Sequence, residues 1–158
     1  MIYITGDKHA DFYEVCCFCK KEKTNISDLM IILGDAGINY FSDLRDHKLK
    51  KELSECNITF FCVYGNHEER PEKIKTYKTK EFHNGIVYYE EEYPNILFAK
   101  DGEIYNLNNK SVLVIGGAYS VDKEYRIKYG YCWYETEQPD DDIKKRVFEV
   151  IKNNNDID

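Results

Sequence analysis

Three short apolar runs alternate with two amphipathic segments in the first 64 residues. The runs cover residues 1–5, 29–33 and 58–64, and they are rich in β-branched and aromatic side chains, which is typical of buried strands. Between them, residues 11–23 and 42–56 carry apolar side chains at helical spacing. In the second segment we expect Leu44, Leu49, Leu53 and Cys56 to contact the core. The order strand, helix, strand, helix, strand predicts a parallel βαβαβ sheet.

The pattern changes after the turn signal Asn84-Gly85. Four candidate strands follow in quick succession, at residues 86–89, 96–99, 103–107 and 111–115. Tight turn signals such as Asp101-Gly102 separate them. We expect antiparallel hairpins that either extend the first sheet or form a second one.

The last third of the chain begins with a polar, aromatic stretch at residues 116–139. It is too long for a simple connector, and loops of this length often carry function. Residues 140–153 predict a helix, with Asp140 or Asp141 as its N-cap. These elements place the chain in the α/β class, as one domain over residues 1–158.

The charge balance restricts the possible partners. The chain has 22 basic and 29 acidic residues, a net charge of −7, which argues against a nucleic-acid polymer as partner because such proteins neutralise phosphates with basic side chains. The N-terminus carries no basic leader, and no apolar run approaches the roughly 18 residues that span a bilayer. We therefore expect a soluble, cytoplasmic protein with no membrane association, whose oligomeric state the sequence leaves open.

Three of the six cysteines cluster as Cys16-Cys17-x-Cys19 within the first predicted helix. Metal binding is one explanation and packing in the core is the other. Packing is favoured because free cysteine behaves as a small buried hydrophobe and the paired C-x-x-C spacing of a zinc site is missing.

Each of the first three predicted strands ends in a glycine followed by polar side chains. The three stretches are Gly6-Asp7-Lys8-His9, Gly34-Asp35 and Gly65-Asn66-His67-Glu68. Because the carboxyl ends of parallel strands lie along one edge of an open α/β sheet, we expect these side chains to converge. Taken singly, each stretch also fits an ordinary turn or a helix cap. Their repetition behind successive strands favours a shared ligand site.

The residue types then narrow the ligand to a divalent metal ion. Asp7, His9, Asp35 and Asn66 offer carboxylate, imidazole and amide donors, a set that suits Mn, Fe, Zn or a similar ion. One shared carboxylate can bridge two such ions, the arrangement that phosphatases and nucleases use to activate water. Asp35 is the natural bridge because it follows the middle strand.

With these motifs the sequence resembles the calcineurin-like metallophosphoesterases, whose pattern is Asp-x-His, then Gly-Asp, then Gly-Asn-His-Glu/Asp. The stretch GGAYSVDKEYR at residues 116–126 is similar to a segment of small prokaryotic and phage members. The resemblance implies a sandwich of two mixed β-sheets flanked by helices. It also implies that Asp7, His9 and Asp35 ligate one metal ion and that Asp35 and Asn66 ligate a second.

The resemblance further implies a phosphoesterase that hydrolyses phosphomonoesters or phosphodiesters through a metal-activated hydroxide. Asp35 would hold both ions, and His67 would protonate or orient the leaving group. In the loop at residues 116–139, Tyr119 and Arg126 are candidates for substrate contact, since an arginine fork suits phosphate oxygens. An ordinary surface loop with ion pairs is the alternative for this segment.

The chain departs from the family pattern at its C-terminal end. Family members carry further metal-binding histidines, one after a later strand and two in a Gly-His-x-His motif, whereas no histidine follows residue 83 here. His47 and His83 are interpreted as surface residues. The predicted helix at residues 140–153 and the segment at residues 156–158 resemble the lead-in to the next strand, so we expect a domain whose C-terminal part is missing.

This departure keeps a second functional hypothesis open. Without the later histidines the chain would bind two ions, one or none. It could then be a catalytically incomplete binding module, or a subunit that a partner completes. A nuclease is a third hypothesis, which the acidic charge balance disfavours.

Overall fold

Six strands form a mixed sheet at the centre of the fold, in a computed structural model that describes residues 1–154 and 157. The strands are β1 (Ile2–Thr5), β2 (Leu29–Leu33), β3 (Thr59–Val63), β4 (Lys78–Phe82), β5 (Gly85–Glu90) and β6 (Tyr93–Ala99). Their order across the sheet is β1-β2-β3-β6-β5-β4. β1, β2, β3 and β6 run parallel, and β5 and β4 continue the sheet in antiparallel pairing.

Two helices connect the first three strands. α1 (Tyr13–Glu22) joins β1 to β2, and α2 (Leu44–Ser54) joins β2 to β3, so the predicted parallel βαβαβ unit is confirmed. Asp43 caps α2, because its side chain accepts a hydrogen bond from the backbone N–H of Arg45 at 2.8 Å. This cap places Leu44 in the first turn, where it is 83 % exposed, so the prediction that Leu44 is a core residue is wrong.

The strands of the second half of the chain both extend the large sheet and form a second sheet. Strands β4 and β5 extend the large sheet beside β6, whereas β7 (Ile104–Leu107) and β8 (Lys110–Leu113) pair as a separate antiparallel hairpin. Asn108 and Asn109 turn this hairpin with φ of 54° and 63°, the left-handed values that such two-residue turns need. The predicted α/β architecture of two sheets flanked by helices is confirmed, and the second sheet in the described part of the chain is this hairpin.

An edge strand and a short helix were not predicted from the sequence. The sequence of β4, Lys-Thr-Lys-Glu-Phe, is polar because β4 is an edge strand, where charged side chains are common. A seven-residue helix, α3 (Lys123–Tyr129), lies within the segment predicted as a loop. The final helix, α4 (Asp141–Asn153), agrees with the prediction, and Asp140 caps it by accepting a hydrogen bond from the N–H of Ile143 at 2.8 Å.

One apolar cluster lies on each face of the large sheet. The first lies between the sheet and helices α1 and α2, and it includes Phe12, Leu53 and Phe60. The second lies between the sheet and the β7–β8 hairpin, and it is centred on Phe61 and Tyr105, whose rings meet edge to face at 4.9 Å. The chain is therefore layered as helices, sheet and hairpin.

Two of the three clustered cysteines of α1, Cys16 and Cys19, pack as predicted, whereas Cys17 is exposed. Cys19 is buried in the first apolar cluster, and the half-buried Cys16 places its sulfur 2.9 Å from the sulfur of Cys56. Within the described residues, no group of three potential metal ligands includes a cysteine. Packing therefore accounts for this cluster.

The predicted lead-in to a further strand covers residues 156–158, of which residues 156 and 158 lie outside the described residues.

Across the part of the chain that the structure describes, no helix is both long and apolar enough to cross a bilayer.

A buried ion pair ties the long loops to the sheet. The guanidinium of Arg70 lies 2.5 Å from the carboxylate of Asp101, and the two side chains are 5 % and 3 % exposed. The second oxygen of Asp101 accepts a hydrogen bond from the backbone N–H of Gly116 at 2.7 Å. Arg70 also donates through Nε to the carbonyl of Thr136 at 2.8 Å. The pair and its hydrogen-bond partners thus connect the chain near residues 70, 101, 116 and 136.

We predict that Arg70→Met lowers the free energy of unfolding by about 3–5 kcal/mol, because it leaves the Asp101 carboxylate buried without its counter-charge. Urea denaturation followed by circular dichroism measures this change. The matched control is Lys144→Met, since Lys144 makes an exposed pair with Asp141 at 3.4 Å and should cost less than about 1 kcal/mol. Equal stability of the two variants would contradict the role assigned to the buried pair.

Candidate metal centre

The loops that follow β1 and β2 are joined through their backbones. The N–H groups of Lys8 and His9 both donate to the carbonyl of Asp35, at 2.9 and 2.8 Å, and the N–H of Ala10 donates to the carbonyl of Ala36 at 3.0 Å. These bonds continue the pairing of the two parallel strands beyond the sheet. Main-chain hydrogen bonds therefore hold the first two polar motifs side by side.

Three residues of these loops adopt a left-handed backbone. Asp7, His9 and Asp35 have φ of 56°, 44° and 47°. Such values cost a non-glycine residue roughly 1–3 kcal/mol each, and they persist where the surrounding structure fixes them. The backbone bonds between the two loops provide this constraint, so these three side chains are presented from a strained and fixed backbone.

The loop after β3 lies directly against Asp35. A Cβ at Gly65 would lie 2.1 Å from both the amide nitrogen and the Oδ1 atom of Asp35, so only glycine fits there. The backbone N–H of His67 donates to the same Oδ1 atom at 3.0 Å. The third motif thereby fixes one carboxylate oxygen of Asp35 and leaves the other to face the first motif.

Three of the predicted ligands converge. One donor atom each from Asp7, His9 and Asp35 lies within 4.8 Å of the other two, and this is the one such group of three among the described residues. His9 Nε2 lies 2.7 Å from Asp7 Oδ1 and 4.0 Å from Asp35 Oδ2. Two carboxylates and an imidazole, open to solvent on one side, fit a divalent cation by donor type and by spacing.

The fourth predicted ligand, Asn66, borders the same carboxylates. It lines a cleft of about 410 Å³ together with Asp7 and Asp35, and the cleft continues along the backbone of residues 115–118. The Asn66 side-chain NH2 group donates to Ser120 Oγ at 2.9 Å. Its carbonyl oxygen is the one atom of the amide suited to a cation.

His67 stands beside the cluster rather than inside it. Its ring meets the ring of His9 edge to face, with centroids 4.8 Å apart. Burial lowers the pKa of His67, and the nearby Arg126 guanidinium lowers it further, while the Asp35 carboxylate acts in the opposite direction. The ring is thus held close to the carboxylates in a partly desolvated position.

An aromatic pocket adjoins the two histidines. It has a volume of about 240 Å³ and is lined by His9, Ala10, Gly37, Tyr40, Phe41 and His67. The rings of Tyr40 and His67 are nearly parallel, with centroids 6.4 Å apart. The hydroxyl of Tyr134 donates to the Tyr40 carbonyl at 2.8 Å, which fixes this wall of the pocket. This pocket was not predicted from the sequence; the available signal was the aromatic pair Tyr40-Phe41, which follows the Gly34-Asp35 motif after four residues.

Glu68 is a buried support of the site that sequence analysis left without a role. Its side chain is fully buried, and Oε1 accepts a hydrogen bond from the backbone N–H of Gly65 at 3.3 Å. Burial raises the pKa of Glu68 to about 7, the Asp35 charge adds to this, and the backbone N–H groups of Gly65, Ala36 and Ile38 oppose it. Glu68 therefore lies beneath the second and third motifs and links them.

The two candidates for substrate contact are placed very differently. Tyr119 is 57 % exposed on the segment that borders the cleft. Arg126 is 3 % exposed, and its guanidinium is bound to Ser120 Oγ and to the Cys132 carbonyl.

His83 lies exposed in the β4–β5 turn, at the opposite lateral edge of the sheet from β1.

A family model described as calcineurin-like phosphoesterase matches residues 1–156 of the chain. No curated protein matches it.

We predict that Gly65→Ala weakens Mn²⁺ binding by about 10- to 100-fold, because the added methyl group displaces Asp35 and the hydrogen bonds that orient it. Isothermal titration with Mn²⁺ measures the affinity, and circular dichroism confirms the fold. Ser27→Ala is the control, since Ser27 is exposed in the α1–β2 loop and belongs to none of the three motifs. An unchanged Mn²⁺ affinity in Gly65→Ala would show that Asp35 is not a ligand.

Proposed function

The chain belongs to the calcineurin-like phosphoesterase family, a family of metal-dependent phosphoesterases, and we propose that it hydrolyses phosphomonoesters or phosphodiesters at a centre for two divalent cations. The observation that carries the proposal is the convergence of Asp7, His9 and Asp35 within 4.8 Å at the ends of parallel strands. Mn, Fe or Zn suits this donor set.

The proposed ligands divide between two positions. Asp7, His9 and Asp35 hold the first cation, and Asp35 and Asn66 hold the second. Asp35 is supported as the shared ligand because it follows the middle of three parallel strands, β1, β2 and β3. It also lies close to His9 on one side and lines the same cleft as Asn66 on the other.

The chemistry that bound divalent cations supply is Lewis acidity, which acidifies an attacking water and offsets the charge on phosphoryl oxygens. The protein contributes by orienting the Asp35 carboxylate and the His67 imidazole. The N–H of His67 holds Asp35 Oδ1, so the carboxylate cannot rotate away from the neighbouring donors. The imidazole of His67 lies beside the centre and is positioned to protonate or orient the leaving group. A group that departs past His67 enters the pocket between Tyr40 and Phe41.

We also propose that Tyr119 lies on the side of the cleft where the substrate binds. The exposed Tyr119 follows Ala118, which lines the cleft, so its hydroxyl group can reach a bound phosphate ester.

A net charge of −7 supports a substrate other than a nucleic-acid polymer. Six free cysteines suit a reducing compartment, which supports the cytoplasm as the location.

A second candidate function has its own observation in favour. The β7–β8 hairpin leaves part of the large sheet uncovered, and three aliphatic residues there, Ile2, Ile4 and Leu33, are 37 to 65 % exposed. Ile115, which follows β8, is 46 % exposed and lines a cleft together with Leu33. Apolar faces of this kind mark contacts with other polypeptides. The chain would then be a binding module, or a subunit whose centre a partner completes.

Metal stoichiometry separates the two functions. We predict two transition-metal ions per chain, found by elemental analysis after dialysis against Mn²⁺, together with phosphodiester hydrolysis. One ion without hydrolysis would instead support a subunit that a partner completes, because that partner would supply the missing ligands. No ion at all would support the binding module and contradict the enzyme.

We predict that Asp35→Asn reduces hydrolysis of p-nitrophenyl phosphate and bis(p-nitrophenyl) phosphate to background. The substitution removes the charge that both cations share, while the side-chain volume and the fold are kept. Asp142→Asn is the matched control, because Asp142 is exposed on α4, far along the chain from the three motifs. Near-normal turnover in Asp35→Asn, with an unchanged thermal unfolding curve, would exclude Asp35 as the shared ligand.

A further inference from the structure

Two buried polar residues extend from Asn66 into the protein. Asn66 Nδ2 donates to Ser120 Oγ at 2.9 Å, and Arg126 Nη1 donates to the same Ser120 Oγ at 3.1 Å. Ser120 and Arg126 are 1 % and 3 % exposed. A second nitrogen of Arg126, Nη2, donates to the carbonyl of Cys132. The Asn66 amide is thus the outer end of a hydrogen-bonded chain of three side chains.

The direction of the bond to Ser120 matters because an amide has two unlike ends. Its oxygen can bind a cation, whereas its NH2 group can only donate hydrogen bonds. In the structure Ser120 takes the NH2 group, and Asn66 lines a cleft together with Asp7 and Asp35. From these two contacts we infer that the amide oxygen is the end that serves the cleft. An amide without this partner would be free to rotate and would present its NH2 group to a cation for part of the time.

Arg126 fixes the position of Ser120. A guanidinium cannot accept a hydrogen bond, so Arg126 holds the Ser120 oxygen as an acceptor. The burial of Arg126 leaves its nitrogens facing protein groups, an arrangement that fits support of Ser120 better than a direct grip on phosphate.

The backbone around Ser120 is itself anchored. Gly117 has φ of +91° and packs so closely that a Cβ would lie 2.5 Å from the Glu137 carbonyl. The N–H of Ala118 donates to that carbonyl at 3.0 Å, and the N–H of Lys123 donates to the Ser120 carbonyl at 3.1 Å. Ser120 therefore stands on a fixed segment and can hold the Asn66 amide in one orientation.

We propose that Ser120 and Arg126 are positioning residues for the second cation: Ser120 orients the Asn66 amide so that its oxygen faces the cation, and Arg126 holds Ser120 in place. The inference rests on the proposed function, since it takes Asn66 as a ligand. It assigns a role to Ser120, a residue of the stretch at 116–126 to which sequence analysis gave no function. It also moves Arg126 from contact with substrate to support of a ligand.

The test measures Mn²⁺ binding by isothermal titration, without substrate, in the full chain. Ser120→Ala should lose about 10- to 100-fold in affinity for one of two Mn²⁺ ions, the typical cost of removing a group that orients a ligand, and should keep its affinity for the other. Ser120→Thr keeps a hydroxyl group at the same position and should restore the lost affinity. Ser27→Ala is the matched control, because Ser27 is exposed in the α1–β2 loop.

Arg126→Lys separates positioning from direct phosphate contact. Positioning predicts weaker binding of the same Mn²⁺ ion before any substrate is added. Direct contact predicts unchanged Mn²⁺ binding and a higher KM for the phosphate ester, and that result would overturn the role given to Arg126. Because Arg126 is buried, thermal unfolding accompanies each titration, and Ser120→Ala carries the test of the amide orientation if Arg126→Lys does not fold.

A second measurement is independent of metal. In the metal-free protein, the side-chain NH2 signals of Asn66 in a ¹⁵N–¹H correlation spectrum should shift in Ser120→Ala and return towards their original positions in Ser120→Thr. Unchanged signals would overturn the hydrogen bond, and equal Mn²⁺ affinities in wild type and Ser120→Ala would overturn its role. A wild-type chain that binds fewer than two Mn²⁺ ions would refute the two-cation centre itself, a result distinct from any difference between variants.

Discussion

The candidate centre depends on one interaction, the backbone pairing of the loops that follow β1 and β2. Two carboxylates, those of Asp7 and Asp35, lie close together there and repel each other, and both residues have a left-handed backbone that is unfavourable for them. Four backbone hydrogen bonds, from Asp7, Lys8, His9 and Ala10 to the facing loop, offset this cost. Since the bonds use main-chain atoms only, the side chains are free to bind a ligand.

Below this paired backbone, buried polar groups hold each loop from beneath. Glu68 contacts the backbone of the second and third loops, Arg70 and Asp101 hold the backbone of Gly116, and Arg126 holds Ser120. The Arg70–Asp101 pair, whose partners are in place, fixes geometry more narrowly than apolar packing does, because each lost hydrogen bond would leave an unpaired polar group. The centre is therefore rigid at its base and open only at its outer side, where Asp7 and His9 face solvent.

The sequence predicted those parts of this arrangement that follow from periodicity and topology. Parallel strands with glycine and polar residues at their ends must bring Asp7, Asp35 and Asn66 to one edge, whatever the details of packing. The supports could not be predicted in this way. Ser120 contacts Asn66 across 54 residues of chain, and Arg126 acts through Ser120. Although the stretch at 116–126 stood out in the sequence, nothing in it indicated which side chain Ser120 would contact. The exposure of Leu44 likewise depended on which residue capped α2, and the polar β4 lacked the apolar pattern of a buried strand.

The four proposed ligands would also make the two proposed cation positions unequal. The first would receive three donors, from Asp7, His9 and Asp35, all on backbone-paired loops. The second would receive Asp35 as a shared donor and the neutral amide of Asn66, whose NH2 group is bound to Ser120. Divalent transition metals take four to six donors, so the second cation would leave more of its coordination to water, to substrate or to another polypeptide. On this proposal the less tightly held cation is the one beside the open cleft, where a phosphate oxygen can complete its coordination.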